Sequence, residues 1–403
     1  MTELTVESRR IDPVASLIPY TDPRRPLLFL RRGDGIAGIG EALRLEFSGP
    51  TRLADAAAAW REVAASAHVD DEVKMHGSGL VAFGAFAFDD SSARRSVLIV
   101  PSVVLGRRGD VGWITRVDGA TVDPVPTAFG PEFRVTLEPG AQDGDAYRAA
   151  VASAVARILA GDVEKVVLAR DLVGRLPEGA DLRRALAELS LGYPDTWTFA
   201  VDGHLGSSPE TLVRVSAGDV TARVLAGSHA RGADAEADAA AALELATSTK
   251  DLDEHRFAVE SVLRALRPHS AGIAATELPF TLKLPNLWHL ASDVAGRLSD
   301  GSSVLDLVAA LHPTAAVGGT PTARALEVIR ELEPFDRGRY GGPVGWVDAS
   351  GDGKWGISLR SAEVDADGTL TAFAGAGIVA ESDPDRELAE TRLKFRPIVE
   401  AFD

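Results

Sequence analysis

The strongest constraint on the fold is the way turn sequences cut the apolar residues into short runs. Near the C-terminus, the turns DASGDG (348–353) and DADG (365–368) separate apolar runs, as in an antiparallel meander. Elsewhere strand-like and helix-like patterns mix without the regular alternation that a parallel α/β sheet requires. The pattern predicts an α+β fold with extensive antiparallel sheet.

Individual segments follow from apolar periodicity. Helices are predicted at residues 54–65, 145–159, 235–267 and 384–402; Asp145 is the expected N-cap of the second helix, and Gly161 follows its end. Strands are predicted at residues 26–30, 77–88, 96–105, 165–170, 197–201, 212–215, 220–225 and 369–374. The proline-rich segment 121–135 reads as a connector.

Composition limits the classes of function. The formal net charge of -17 disfavours nucleic acid and anionic membranes as partners, so an anionic ligand needs local cations or a metal. The absence of cysteine excludes disulfides, thiol nucleophiles and zinc-thiolate sites. No signal peptide or membrane span is evident, and we expect a cytoplasmic protein.

Two acidic motifs are candidates for a metal site. Asp251 and Glu254 lie three residues apart in one predicted helix, and Glu387 and Glu390 do so in another. A spacing of three places both carboxylates of each motif on one helix face. Two such faces turned toward each other would offer the hard oxygen ligands that Mg²⁺ requires. Taken singly, either motif is more typical of a solvated helix face.

Four other positions are candidate site residues. Lys165 begins the apolar run KVVLAR, where a lysine held partly out of water can act as a base. Glu210 lies in a tight turn, Arg360 lies in the apolar run GISLRSA, and Gly375 follows a predicted strand. The functional interpretations are a rigidly presented carboxyl group at Glu210, an anion-binding arginine at Arg360 and a close approach of the backbone to a ligand at Gly375. The alternatives are a strand-edge lysine that reaches solvent at Lys165, which is the commoner case for a lysine taken singly, and a solvated turn, an internal salt bridge and an ordinary glycine turn at the other three positions.

Two motifs resemble ligand sites but lack their context. The segment 33–38 matches G-x-G-x-x-G, yet no βαβ pattern surrounds it, and a turn is the better interpretation. The segment 348–353 begins like an EF-hand loop, but its twelfth position is Leu359 instead of glutamate, which favours a hairpin turn.

Taken together, the motifs resemble the chorismate-binding enzymes and, within them, the isochorismate synthases. The resemblance runs from about Lys165 to the C-terminus and rests on KVVLAR, SSPETLVR, LAGSHARG, STKDLDEH, LWHL, HPTAAVGGTP, ELEPFDRGRYGGPVGW, ISLRSA, AGAGIVAESDP and ELAETRLK. It implies a large two-sheet antiparallel β-sandwich with outer helices. The chain would be a single unit, residues 1–403, with a variable part at 1–135 and a catalytic region at 140–403.

The resemblance also implies a chemistry. Isochorismate forms from chorismate by addition of water at C2 and loss of the C4 hydroxyl group. Lys165 would activate the water, and Glu210 would protonate the departing hydroxyl. Glu254 and Glu390 would hold Mg²⁺ against the ring carboxylate, with Asp251 and Glu387 acting through waters.

Further residues would bind the substrate. Arg360 would bind the enolpyruvyl carboxylate, helped by Tyr340 and the backbone of Gly375. Gly227 and His289 would line the pocket. The resemblance implies chorismate as a small-molecule partner, a monomeric enzyme, and a product that feeds menaquinone or siderophore biosynthesis.

Relatives with other reactions remain alternatives. Salicylate synthases share Lys165, Glu210 and both acidic motifs, and then eliminate pyruvate. Anthranilate and aminodeoxychorismate synthase components add ammonia and generally lack a lysine at the position of Lys165. A non-catalytic acidic metal-binding scaffold is the alternative outside enzymes, and it predicts no consumption of chorismate.

Overall fold

The computed structural model describes residues 3–283 and 287–403, without the side chains of Ser228, Lys250, Glu254 and Leu287. The helices are α1 (Arg52–Ser66), α2 (Gly144–Leu159), α3 (Arg183–Gly192), α4 (Ala235–Thr247), α5 (Thr249–Leu266), α6 (Val304–Leu311), α7 (Thr322–Leu332) and α8 (Pro384–Ala401), with a 3₁₀ turn at Ile18–Tyr20.

The strands of the first half of the chain are β1 (Thr5–Ile11), β2 (Leu27–Arg31), β3 (Asp34–Ile39), β4 (Leu43–Phe47), β5 (His68–Asp71), β6 (Val81–Ala85), β7 (Ser96–Val100), β8 (Val103–Arg108), β9 (Val111–Val117), β10 (Glu138–Pro139), β11 (Lys165–Arg175) and β12 (Trp197–Val201). Those of the second half are β13 (His204–Ser208), β14 (Thr211–Ser216), β15 (Asp219–Ala230), β16 (Ser270–Ala275), β17 (Phe280–Lys283), β18 (Leu287–Leu298), β19 (Gly319–Thr320), β20 (Pro343–Asp348), β21 (Gly353–Ile357), β22 (Ser361–Val364) and β23 (Thr369–Ile378).

These strands form two large sheets. Sheet A has the order β10-β11-β23-β22-β13-β12-β2-β3-β8-β9-β1-β5, with β19 paired to β11. Sheet B has the order β16-β18-β15-β14-β21-β20-β6-β7-β4, with β17 paired to β18. Apart from the parallel pair β1 and β5, the pairings among the described strands are antiparallel. The predicted α+β class is confirmed.

Strands from the N-terminal third are built into both sheets. In sheet A, β2 pairs with β12, and in sheet B, β6 pairs with β20. Burial of the apolar faces explains this arrangement, because the largest apolar cluster joins Trp60 and Leu98 from the N-terminal third with Val213 and Trp355 from the rest.

Helices pack against the sheets by their apolar stripes. In α2 the predicted stripe includes Tyr147 and Val151, both fully buried. The N-cap of α2 is Asp143 and not Asp145, because the Asp143 carboxylate accepts hydrogen bonds from the Asp145 and Ala146 amides. Similarly, the predicted helix 235–267 is two helices, α4 and α5, since the Ser248 side chain accepts a bond from the Asp251 amide and caps a new helix.

Other differences from prediction are local. The run 96–105 is two strands, because the chain turns at Pro101 and continues in the other sheet as β8. In segment 33–38, Gly33 forms with Arg32 a two-residue hairpin turn in which both residues have positive φ, and residues 34–38 lie in β3. Segment 348–353 is the predicted hairpin turn, between β20 and β21. No helix in the described part of the chain is long and apolar enough to cross a membrane.

Candidate active site

The chain crosses from one sheet to the other at two neighbouring places. Pro209 and Glu210 connect β13 of sheet A to β14 of sheet B, and residues 358–360 connect β21 of sheet B to β22 of sheet A. Hydrogen bonds hold the crossings together: the Ser207 amide donates to the Arg360 carbonyl at 3.1 Å, and the Ile357 amide donates to the Glu210 carbonyl at 3.2 Å. One rigid feature of the backbone therefore positions both Glu210 and Arg360.

Arg360 lies in this connection and not within a strand, contrary to the sequence prediction. Its φ of +50° is in the left-handed region, which costs a residue other than glycine roughly 1–2 kcal/mol. The bond from Ser207 to its carbonyl fixes this conformation. Burial lowers the pKa of the guanidinium, and Tyr340 and Glu390 oppose the effect. A buried guanidinium of this kind is suited to binding a carboxylate.

A cavity of about 520 Å³ opens beside the crossings. Ten of the eleven predicted site residues line it: Lys165, Glu210, Gly227, Asp251, His289, Tyr340, Arg360, Gly375, Glu387 and Glu390. The eleventh, Glu254, lies on α5, and its side chain is outside the described residues. The structure thus brings together side chains that are separated by more than two hundred positions in the sequence.

Glu210 is a buried acid of the cavity. The residue is 8% exposed, and burial raises the pKa of its carboxyl group to about 7, against the opposing charges of Arg360 and Lys165. A carboxyl group with this pKa is partly protonated at neutral pH and can donate a proton. The Ser208 hydroxyl accepts a hydrogen bond from the Glu210 amide at 3.2 Å and fixes the turn that presents it.

Lys165 enters the cavity from the first position of β11, as its place in the sequence predicts. The neighbouring strand β23 has Gly377 opposite this end of β11. A Cβ atom at position 377 would stand 2.8 Å from Lys165 Cε, so glycine leaves the room that the lysine chain occupies. Gly375 and Gly377 both lie within β23, because this strand continues to Ile378. The prediction that Gly375 follows the strand is therefore wrong.

Carboxylates form one side of the cavity. Asp251 projects from α5, and Glu387 and Glu390 project from α8. Gly227, at a bulge of β15 with φ of +79°, allows the close approach of α5: a Cβ atom there would stand 3.3 Å from Asp251 Cβ. Carboxylates from two helices thus line the cavity that the sheet crossings also line.

Lys394 is a site residue that the sequence reasoning missed. Its ammonium group pairs with Glu390 and donates a hydrogen bond to the Gly375 carbonyl at 2.9 Å. Lys394, with further help from Arg360, lowers the pKa of Glu390 and keeps this carboxylate ionised. The signal was available, because Lys394 follows Glu390 by four residues, the spacing of a helical ion pair.

Mg²⁺ fits the donor set of this acidic side. The cavity offers hard carboxylate oxygens, and Mg²⁺ usually takes one or two carboxylates, completing its shell with waters and substrate oxygens. Within the described side chains, the only three ligands whose atoms all lie within 4.8 Å of one another belong to His76, Asp348 and Asp352, which is a different place. A magnesium site here therefore draws on few protein ligands and on the substrate.

The remaining predicted residues form the floor of the cavity. Tyr340 is 5% exposed, interacts with the Gly375 backbone and stacks on Phe373 with ring centroids 5.4 Å apart. Burial, with added repulsion from Arg360, lowers the pKa of His289 to about 4, so its ring is neutral at pH 7. A neutral imidazole and a phenol can both hydrogen-bond an anionic ligand without adding charge.

Comparison with known proteins gives a consistent result. The chain matches the family described as chorismate binding enzyme over residues 1–116 and 128–403. It is 38% identical to isochorismate synthase DhbC of Bacillus subtilis over 331 residues, covering 79% of this chain and 80% of that protein. It is 31% identical to isochorismate synthase MenF of the same species over 366 residues, covering 83% and 78%.

The fold has solved counterparts. The crystal structure of DhbC from Bacillus anthracis superposes with a TM-score of 0.79 and 32% identity, covering 96% of this chain and 98% of that one. Both the sequence matches and this superposition extend well into the N-terminal third. The chain belongs to the chorismate binding enzyme family.

Proposed function

We propose that this chain is an isochorismate synthase, an isomerase that converts chorismate to isochorismate with Mg²⁺. The observation that carries the proposal is the cavity in which Lys165 and the perturbed acid Glu210 face the same space as Arg360 and the acidic helices. Its relatives DhbC and MenF bear the same activity in their names. A non-catalytic scaffold, in contrast, predicts no consumption of chorismate.

Substrate binding follows from charge. Chorismate carries two carboxylates, and the chain as a whole is strongly acidic. Arg360 binds the enolpyruvyl carboxylate, with Tyr340 and the Gly375 backbone beside it. The ring carboxylate would face the acidic side, where Glu254 and Glu390 would hold Mg²⁺, and Asp251 and Glu387 would support it through waters. When bound, Mg²⁺ would supply positive charge to the ring carboxylate.

The reaction needs one base and one acid. Lys165 takes a proton from a water molecule whose oxygen bonds to C2 of the ring. The ring double bonds shift, the C4–O bond breaks, and Glu210 gives its proton to the departing oxygen, which leaves as water. The substrate therefore exchanges one water for another, Lys165 gains a proton, and Glu210 loses one.

The biological setting forms part of the same proposal. The chain acts as a single monomeric unit in the cytoplasm, without nucleic acid or membrane as a partner. Strands of the N-terminal third pair within both sheets, which supports treating residues 1–403 as one unit. The isochorismate that it makes feeds menaquinone or siderophore biosynthesis.

The test is a product assay on the purified protein with chorismate and Mg²⁺. Isochorismate is expected as the product, formed reversibly, with little salicylate. Lys165→Ala should lower turnover by about 10²- to 10⁴-fold, the usual contribution of a general base. Lys74→Ala, at an exposed loop position, is the matched control and should keep full turnover. Salicylate and pyruvate as the main early products would assign the chain to salicylate synthesis instead, and no consumption of chorismate would refute the proposal.

A further inference from the structure

A second cavity lies on the other side of Glu210. Its volume is about 180 Å³, and it extends between α5, α6 and sheet B. Glu210 and Ala316 line both this cavity and the main one, so they form the wall between the two. Its lining also includes Ser261 and Ala310, both exposed at the protein surface. The cavity therefore extends from the buried acid toward residues at the surface.

This cavity is suited to water. Its volume corresponds to several water molecules, since each takes about 30 Å³ in the liquid. The Thr314 hydroxyl, which lines it, is buried and has no hydrogen-bond partner within the described part of the chain. Buried polar groups are normally satisfied by protein or by ordered water, so this hydroxyl indicates a bound water. Ser261 and Thr322 offer further polar partners along the lining.

We infer that the second cavity is a water passage that serves Glu210. The inference rests on the proposed function, in which Glu210 releases a water at C4 and is left deprotonated. Chorismate and its metal occupy the main cavity during turnover, so the released water and the returning proton need another route between Glu210 and solvent. A proton from bulk solvent reaches Glu210 along the waters of the passage, the proton gained by Lys165 returns to solvent when the product leaves, and the expelled water leaves through the passage.

The experiment uses chorismate labelled with ¹⁸O in the C4 hydroxyl group, in unlabelled water. Each cleavage of the C4–O bond releases a labelled water molecule. If the reaction then reverses in the site, the C4 oxygen of the recovered chorismate comes from the water molecule that is beside Glu210 at that moment. The measured quantity is label lost from recovered chorismate per isochorismate formed, by mass spectrometry at low conversion. Wild-type enzyme should show loss of label from recovered chorismate, because the expelled water is exchanged through the passage.

Two alanine-to-leucine variants should block the passage. Ala265→Leu and Ala310→Leu place bulk in its lining, and Ala265 lies eleven residues beyond Glu254 on α5. Both should lower the label loss per product several-fold and lower kcat while KM for chorismate stays unchanged. Ala240→Leu, at an exposed position of α4, is the control and should change neither quantity.

A third variant avoids added bulk. Thr314→Val removes the unpartnered hydroxyl at nearly constant volume, and it should lower the label loss per product as the leucine variants do. Thr314→Ser keeps a hydroxyl and should show the label loss of the wild type. A variant that merely displaces Glu210 would lower kcat without changing label loss per product. Unchanged label loss in the leucine variants, with isochorismate still formed, would refute the passage and leave the isochorismate synthase assignment intact. Absence of isochorismate from the wild-type enzyme would refute the assignment itself.

Discussion

Replacing Glu210 with glutamine gives the sharpest test of the proposed acid. Glutamine keeps the size of the side chain but cannot donate a proton to the C4 oxygen. Turnover should fall by about 10²- to 10⁴-fold, the range for a general acid, with a smaller change in KM because Arg360 and the metal still bind the substrate. Glu178→Gln, in the exposed loop before α3, is the matched control.

The pKa of Glu210 fixes the pH dependence. Burial raises it from 4.5 to about 7, and the acid must be protonated to act. In the wild type, the protonated fraction of Glu210 should therefore fall as pH rises through 7, about tenfold per pH unit beyond it, and this loss contributes to the profile of kcat/KM, which reports the free enzyme. The contribution should be missing from Glu210→Gln. An identical pH profile in the two enzymes, or a Glu210→Gln variant with near-normal turnover, would refute the role of this residue.

The same shift predicts that Glu210→Gln raises stability at high pH although it lowers activity. A carboxyl group whose pKa is raised on folding binds its proton more tightly in the folded state, so it destabilises the fold at high pH. The cost is absent below pH 4.5 and complete above pH 7. A shift from 4.5 to about 7 corresponds to at most about 3–4 kcal/mol, at ~1.4 kcal/mol per unit. Glu210→Gln should thus be more stable than wild type at pH 8 and equal to it at pH 4, by urea unfolding.

Three further outcomes are expected. EDTA should abolish activity, Mg²⁺ should restore it, and Glu390→Gln should raise the Mg²⁺ concentration needed for half-maximal rate; full activity without a divalent ion would contradict the metal proposal. Arg360→Ala should weaken chorismate binding, measured by calorimetry, by about 10- to 150-fold, the worth of a hydrogen bond to a charged group, and unchanged affinity would exclude the carboxylate contact. Burial raises the pKa of Asp348 to about 7, so Asp348→Asn should raise the melting temperature at pH 8 but not at pH 4, and equal changes at both would contradict the shift.

The fold class could be predicted because it depends on local patterns. Turn sequences bound the strands, and helices such as α2 show their buried stripe directly in the sequence. The assignment of strands to sheets could not be predicted, since an apolar run does not tell which sheet it joins. Pro101 illustrates the limit, because it divides one continuous apolar run into β7 and β8 of different sheets.

The residues of the candidate site could be predicted from motifs, but their geometry could not. The acidic spacings and Lys165 could be found by inspection. The conformation of Arg360 could not, because its positive φ is imposed by the bond from Ser207, more than one hundred and fifty residues away. The room provided by Gly377 for Lys165 also depends on strand pairing that only the folded chain reveals.

The architecture places the acid and the proposed carboxylate-binding arginine on one feature of the backbone. Glu210 and Arg360 belong to crossings that are bonded to each other and connect both sheets. The proposed metal ligands project from α5 and α8. Lys394 connects α8 to sheet A, because it pairs with Glu390 and donates a hydrogen bond to the Gly375 carbonyl of β23. In the proposed function, the substrate carries one carboxylate for Arg360 and one for the metal, so its binding would link the crossings to the helices and thereby set the position of the C4 oxygen relative to Glu210.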